Sequence, residues 1–501
     1  MPQPEPRVLV YLALAGVIGA ATFLRTWQIN RFGFNSDEAV YAGQAAALAN
    51  NAALKPFFPV FRAHPLLFQT LLSLSYRLGG GDVANRLIAA GFGLGTVVLV
   101  YLAGQLLYSR RAGLIAALFL AVMPYHVLVT RQVLLDGPLV FFTTLALYLV
   151  ARFARTNDRF WLFAASGAMG LAILSKETAV LLVPSVYVFL ALSPSIRVRT
   201  RDLAIALGIL VLVASPYPIA IMLAGRSNTG HSYLTWQLFR SPNHSVLFYL
   251  ETVPGAIGYL VCAAAAAGLW FHRRQASWRE VLLASWVLIH VVFFELWPVK
   301  GFQYLLPIAP PIAILAGHAI ASWKLEETLP RLNLAAWLPA LTAGAIAVSL
   351  LIPAFSSIEA APSGTFLAGT GGIPGGREAG DWIDGNVPSG ATILTLGPSM
   401  ANIVEFYGHR QAYGLSVSPN PLRRNPSYEA LPNPDLALRT SRVQYIVWDS
   451  FSASRSSFFS EALMRYVRRY HGREVHTETI SETAGGKTTR VPIIRIFEVR
   501  P

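Results

Sequence analysis

Apolar runs as long as a bilayer core is thick recur along most of the chain, and no other feature restricts its fold so far. A helix needs about 20 mostly apolar residues to cross the hydrocarbon. Such runs cover Val8 to Leu24, Leu87 to Leu107, Gly113 to Val129, Leu134 to Ala151, Trp161 to Leu174, Thr178 to Leu192, Leu203 to Leu223, Val253 to Phe271, Val281 to Trp297, Tyr304 to Ser322 and Leu334 to Ile352. They predict a polytopic α-helical membrane protein of about eleven spans. Composition agrees: 54% of the residues are hydrophobic and 13% charged, against about 25% charged in soluble domains, which argues against a large water-soluble enzyme. The first run lacks a small-residue cleavage site and is followed by further spans, so it is expected to stay as an anchor. The one cysteine, Cys262, sits in an apolar run and offers neither an intrachain disulfide nor a thiolate metal cluster.

An odd number of spans puts the termini on opposite sides. With the N-terminus inside, the inner loops hold Arg110 and Arg111, Arg152 to Arg159, Ile196 to Arg201, Arg273 to Arg279, and Lys324 to Arg331, while the short outer turns hold little besides Arg131, Lys176 and Lys300. The positive-inside rule selects this orientation. It places the chain in an inner or plasma membrane, N-terminus cytoplasmic. The formal charge of +14 is read accordingly. Residues 354–501 carry 15 Lys plus Arg against 13 Asp plus Glu, so +12 of the excess precedes them. That is a topology signal, and nothing in it points to nucleic acid.

Three outer segments are expected: a loop from about Arg25 to Arg86, a shorter one from Gly225 to Glu251 with His231, Trp236, Arg240 and His244, and the C-terminal part. The organisation reads as a membrane domain over 1–353, a Gly-rich linker over 354–375 and an extracytoplasmic mixed α/β domain over 376–501. In the last, helices are predicted over Arg377 to Asp384, Ser399 to Tyr407 and Ser456 to Tyr470. Strands are predicted over Ala391 to Thr395 and Val443 to Trp448, with a hairpin of Val475 to Ile480 and Val491 to Val499 around Ala484-Gly485-Gly486. No Gly-rich phosphate loop follows a strand there, so no nucleotide site is assigned.

Ionisable residues near hydrocarbon are costly and mark function by default. On the outer side they come from five stretches: Asp37 and Glu38, His64, Arg131 and Asp136, Lys176 and Glu177, and Lys300. Blander readings stay open. Asp37 and Glu38 suit the first turn of an interfacial helix from Ala39 to Leu48 capped by Ser36 or Asn35. Arg131 could pair with Asp136, Lys176 with Glu177, Lys300 could snorkel to the headgroups, and His64 could be a loop histidine. Together, acids beside bases suit departure of a sugar from a lipid phosphate. The oxocarbenium-like state wants negative charge near the anomeric carbon, and the leaving phosphate wants positive charge.

The order of these motifs resembles the GT-C glycosyltransferases, in the branch of the dolichyl-phosphate-mannose protein mannosyltransferases and the lipid A aminoarabinose transferase. The matching residues are Asp37-Glu38 followed by Tyr41, His64-Pro65 later in the same loop, Arg131 and Asp136 about the turn between spans three and four, Gly170 to Lys176, and Tyr304 to Pro311. The resemblance implies inverting transfer from a polyprenyl-phosphate sugar to an acceptor hydroxyl on the outer face. It assigns Asp37 and Glu38 to catalysis and Arg131, His64, Lys176 and Lys300 to the donor phosphate, with Asp136, Glu177 and Tyr41 in support. Leu66 replaces a second proline, and Gln303 stands where a basic residue often precedes the Tyr304 run. No cofactor is implied with certainty; a divalent cation on Asp37, Glu38 and Asp136 stays open. The alternatives are a multi-span transporter or lipid flippase, disfavoured by the absence of repeats, and a receptor whose C-terminal part does the work.

Overall fold

The protein is described by a computed structural model over residues 7–59, 64–223, 236–275, 277–323, 337–359, 373–484 and 487–500. Among these residues six helices are long and apolar enough to cross a membrane: α1 (Val8–Thr26), α4 (Asp82–Leu107), α7 (Asp136–Thr156), Thr200–Leu223, Phe302–Ala321 and α16 (Leu338–Glu359). Two bent pairs raise the number to eight. The pair α5 (Arg110–Val122) and α6 (Pro124–Thr130) bends by 60° where Pro124 enters at the helix start, because proline lacks the N–H that would continue the ladder. The pair α12 (Phe248–Ile257) and α13 (Tyr259–His272) turns by 95° at Gly258, which sits at φ 104 where a Cβ would meet Leu350.

The sequence reading of about eleven spans therefore exceeds what length alone supports. Its remainder consists of α8 (Arg159–Ser175) and Glu177–Leu192, which are shorter apolar helices, and α14 (Trp278–Leu296), which carries charge at both ends. Lys176 is what divides the first two, since a cation in mid-run stops the apolar stripe. The membrane helices share one apolar core in which α4, α5, α7 and α15 (Ala309–Ala321) supply many of the buried residues. At Gly113 a Cβ would lie 2.4 Å from the Tyr101 carbonyl, so glycine there lets α5 press against α4.

Outside the bundle, α2 (Ser36–Leu48) and α3 (Leu67–Arg77) lie between α1 and α4 in sequence. The C-terminal residues form a five-stranded sheet of order β2-β1-β3-β5-β4. Its strands are β1 (Thr392–Thr395), β2 (Gln411–Gly414), β3 (Tyr445–Asp449), β4 (Arg473–Ala484) and β5 (Lys487–Glu498). β1 pairs parallel with β2 and β3; β5 runs antiparallel to β3 and β4. The hairpin is the one read from the sequence, with Gly485 and Gly486 outside the described residues. Strand β2 was not anticipated, because its four residues, Gln411 to Gly414, carry too little periodicity.

One face of the sheet packs on α21 (Ser457–Arg469), burying Leu463 and Val467 with Ile446 and Phe497. The other face holds α17 (Gly376–Asn386) and α18 (Pro398–Tyr407). These bury Ile383, Met400, Ile403 and Phe406 in the same core as Phe34, Ala42, Ala45 and Phe58. The C-terminal unit thus seats directly on α2. Arg377 reinforces the contact through Asp82 at 3.0 Å, and Tyr407 donates to the same carboxylate at 2.6 Å.

Candidate active site

The site begins with how α2 starts. Asn35 is its N-cap, with Oδ1 accepting from the backbone of Asp37 and Glu38, and Glu38 returns the favour by accepting from the Asn35 N–H. Two orphan donors are satisfied reciprocally. Successive helix residues point about 100° apart, so the two acids of the pair face different ways. Glu38 turns inward and is fully buried. Its carboxylate takes both Arg86 bonds at 2.8 Å and the Val133 N–H at 3.0 Å. Asp37 turns toward a cavity of about 490 Å³.

That cavity brings together Asp37, Tyr41, His64, Lys176 and Glu177 from the sequence-derived set. His64 Nδ1 lies 3.0 Å from Glu177. Lys176 donates to Asp136 at 2.8 and 3.0 Å and lies 4.8 Å from the centre of the Tyr304 ring. Asp136 is the counter-ion behind the cavity wall. Among the described residues the Asp37 carboxylate has no hydrogen-bond partner, and burial pushes its pKa up while Lys176 and His64 pull it down. A carboxyl so placed is a proton acceptor held ready, with basicity raised by its surroundings.

Three residues expected at the donor phosphate or in catalysis stand elsewhere. Glu38 is closed off by Arg86. Arg131 reaches away, donating to the Trp27 carbonyl at 2.7 Å, and pairs with no acid across its turn. Lys300 is buried and held by the Phe294 and Glu295 carbonyls and the Glu295 carboxylate, so it does not snorkel. The two other pairings weighed from the sequence, Arg131 with Asp136 and Lys176 with Glu177, give way to Lys176 with Asp136 and His64 with Glu177.

A further cation on the cavity lining, beside Lys176, is Arg240, its guanidinium 4.7 Å from the centre of the Trp236 ring. The sequence offered a signal, a Trp and an Arg four apart in an outer loop. Within that loop His231 lies outside the described residues. Gln44, Gln303 and the segment Asn425 to Tyr428 complete the wall.

A three-carboxylate cation site is not assembled. Glu38 and Asp136 are each neutralised by their own cation, and among the described residues no three metal-ligating side chains converge. Asp37 is the one carboxylate of the three that faces the cavity, too few for the oxygen-rich shell a divalent cation takes.

A bundle of apolar helices, a cavity of acids and bases at its end and a mixed α/β unit seated beside that cavity make up a polytopic membrane protein that resembles the GT-C glycosyltransferase fold. Comparison with known proteins agrees. A family model described as dolichyl-phosphate-mannose-protein mannosyltransferase matches residues 63–221. The chain is 26% identical over 289 residues to the undecaprenyl phosphate-alpha-4-amino-4-deoxy-L-arabinose arabinosyl transferase of Aeromonas hydrophila subsp. hydrophila, covering 54% of this chain and 52% of that one. It thus spans about half the length of that curated relative. Among solved structures, ArnT from Cupriavidus metallidurans superposes in its apo state with a TM-score of 0.68 at 15% identity, over 98% of this chain and 97% of that one. Bound to undecaprenyl phosphate the same protein gives 0.65 at 15% identity, over 96% and 97%. AglB from Archaeoglobus fulgidus, in complex with an inhibitory peptide and a dolichol-phosphate, gives 0.56 at 14% identity, over 97% and 74%.

Proposed function

We propose that the protein transfers a sugar, with inversion, from a polyprenyl-phosphate donor to an acceptor hydroxyl on the extracytoplasmic face. The observation that carries this reading is the Asp37 carboxylate, without a hydrogen-bond partner among the described residues, facing Lys176, His64 and Arg240 across one cavity. In the proposed reaction Asp37 takes the proton of the acceptor hydroxyl as its oxygen attacks the anomeric carbon. The bond from that carbon to the phosphate oxygen breaks, and the polyprenyl phosphate leaves with the electron pair. Arg240, which forms no salt bridge among the described residues, meets the phosphate; His64 and Lys176 keep the local field positive. The undecaprenyl phosphate of the ArnT complex and the dolichol-phosphate of the AglB complex support a lipid-phosphate donor. Under this reading the eleven spans run from a cytoplasmic N-terminus, and the 376–501 unit covers the site from outside.

Incubation of the purified protein with a panel of undecaprenyl-phosphate sugars, read by mass spectrometry, tests the reading. Hydrolysis or transfer is expected; a protein inert toward every member sinks it. Arg240→Ala should weaken donor binding about tenfold to a hundredfold, the range for losing a hydrogen bond to a charged group, while Lys300→Gln leaves it unchanged. Equal losses in both variants would return Lys300 to the phosphate.

The His64 to Glu177 pair gives a pH signature. Burial opposes the His64 charge, but Glu177 outweighs it and raises the pKa above 6.5. The folded state therefore holds the proton more tightly than the unfolded chain. This stabilisation is fully present below about pH 6.5 and is lost as pH rises through the folded value. Melting curves of wild type and His64→Gln should accordingly differ at pH 5.5 and converge by pH 9; a gap independent of pH contradicts the pairing.

A further inference from the structure

A second cavity, of about 320 Å³, lies beside the first, between the segment after α2 and the C-terminal unit. Ser427 and Tyr428 line both cavities. Asn402 closes the geometry: it lines the second cavity and donates to Ser36 Oγ at 2.9 Å, the residue just before Asp37. The two spaces are therefore neighbours across one loop and one helix start.

The lining of the second cavity is mostly polar and suits hydroxyls. Glu405 and Glu429 offer carboxylates, Asn402 and Gln411 offer amides, and Phe57 and Tyr428 offer rings. Gln411 Nε2 donates to Glu405 at 3.1 Å, which fixes the orientation of that carboxylate in the lining. Carboxylates and amides accept and give paired bonds to adjacent sugar hydroxyls, while aromatic faces cover the C–H side of a pyranose. The volume is at the small end of ligand cavities, roughly 300 to 1,000 Å³, and fits one or two sugar rings. Lys55 also lines the cavity, donating to Asn50 at 3.1 Å; against it the two carboxylates leave a net negative lining that disfavours an anionic guest.

We propose that this cavity is the acceptor subsite, holding the terminal residues of a neutral glycan whose hydroxyl passes Tyr428 to reach Asp37. The inference rests on the donor reading above and adds the substrate class. It also gives the C-terminal unit a task, since five of the six residues just named by their chemistry come from α18, β2 or the loop that follows.

The full chain in lipid nanodiscs is titrated with mannobiose and chitobiose by saturation-transfer NMR, and hydrolysis of undecaprenyl-phosphate sugars is measured in parallel. At least one disaccharide should saturate in the wild type. Glu429→Ala and Glu405→Gln should weaken that binding about tenfold while leaving donor hydrolysis by water intact, and Asp37→Asn should bind disaccharide yet hydrolyse nothing. Glu429 is exposed, so its variant keeps the proposal testable if Glu405→Gln does not fold. Donor hydrolysis without disaccharide binding overturns the subsite and spares the donor reading. Disaccharide binding that survives both variants, or saturation of a Ser/Thr peptide in place of the sugars, also overturns it. Disaccharide binding lost in the variants, in a protein that hydrolyses no donor, supports a glycan site and overturns the donor reading alone.

Discussion

Asp37→Asn abolishes sugar transfer, by about 10² to 10⁴-fold if Asp37 acts as the general base, and leaves donor binding where it was. The amide keeps the shape of the carboxyl and its place at the cavity wall but cannot take a proton. Stability should move the other way. Burial raises the Asp37 pKa, so the folded state favours the protonated form, and ionisation weakens folding as pH rises through the raised value. Asn carries no charge to desolvate, so the variant should melt higher than wild type at pH 8, with the difference vanishing near pH 4. Turnover against pH in the wild type should rise along a limb displaced above the ordinary carboxylate range. An Asn variant that transfers sugar at the wild-type rate removes Asp37 from the chemistry. Loss of activity with a lower melting temperature assigns it to the scaffold instead.

The sequence was informative about this cavity for a specific reason. In a chain with so little charge, ionisable residues at span ends are few, and those of three outer stretches, Asp37 with Tyr41, His64, and Lys176 with Glu177, meet on one wall. The membrane character was legible because apolar length is a local property. Partnership was not. Which acid takes Lys176 depends on α7 and α8 meeting, and it is Asp136, 40 residues away, instead of the adjacent Glu177. Lys300 turns back on Glu295, five residues before it, because α14 ends at Leu296 and the chain reverses there. Arg240 carried no motif and declares itself only where α14 and the segment before Tyr304 enclose the same space. Bends were not legible either: hydropathy marks apolar stretches but not the 95° turn at Gly258.

Glu38→Gln should loosen the α2 end of the protein instead of stopping its chemistry. The motif puts Glu38 beside Asp37 as an equal, yet the structure makes it the joint of three segments. Its carboxylate holds Arg86 of α4, the Val133 N–H at the turn before α7, and the Asn35 N–H that starts α2. Arg86 in turn spends its remaining donors on the carbonyls of Ile29, Phe32 and Gly33. The glutamine keeps the shape but turns an N–H₂ toward donors and strands the Arg86 charge away from water. Removing one partner of such a buried pair costs about 3 to 5 kcal/mol. Arg86→Met should cost a similar amount, leaving Glu38 uncompensated. The double variant Glu38→Gln, Arg86→Met should recover part of the loss, because no unpaired charge then remains. The decisive measurement pairs a melting curve with turnover per folded molecule. A Glu38→Gln protein that melts much lower, and whose folded fraction turns over with the wild-type pH profile, fixes Glu38 as a positioning residue for α2. A variant that melts like wild type and is inactive makes it catalytic. The expected result follows from distance: every oxygen lone pair of Glu38 is directed at groups within 3.1 Å, which leaves none for a substrate.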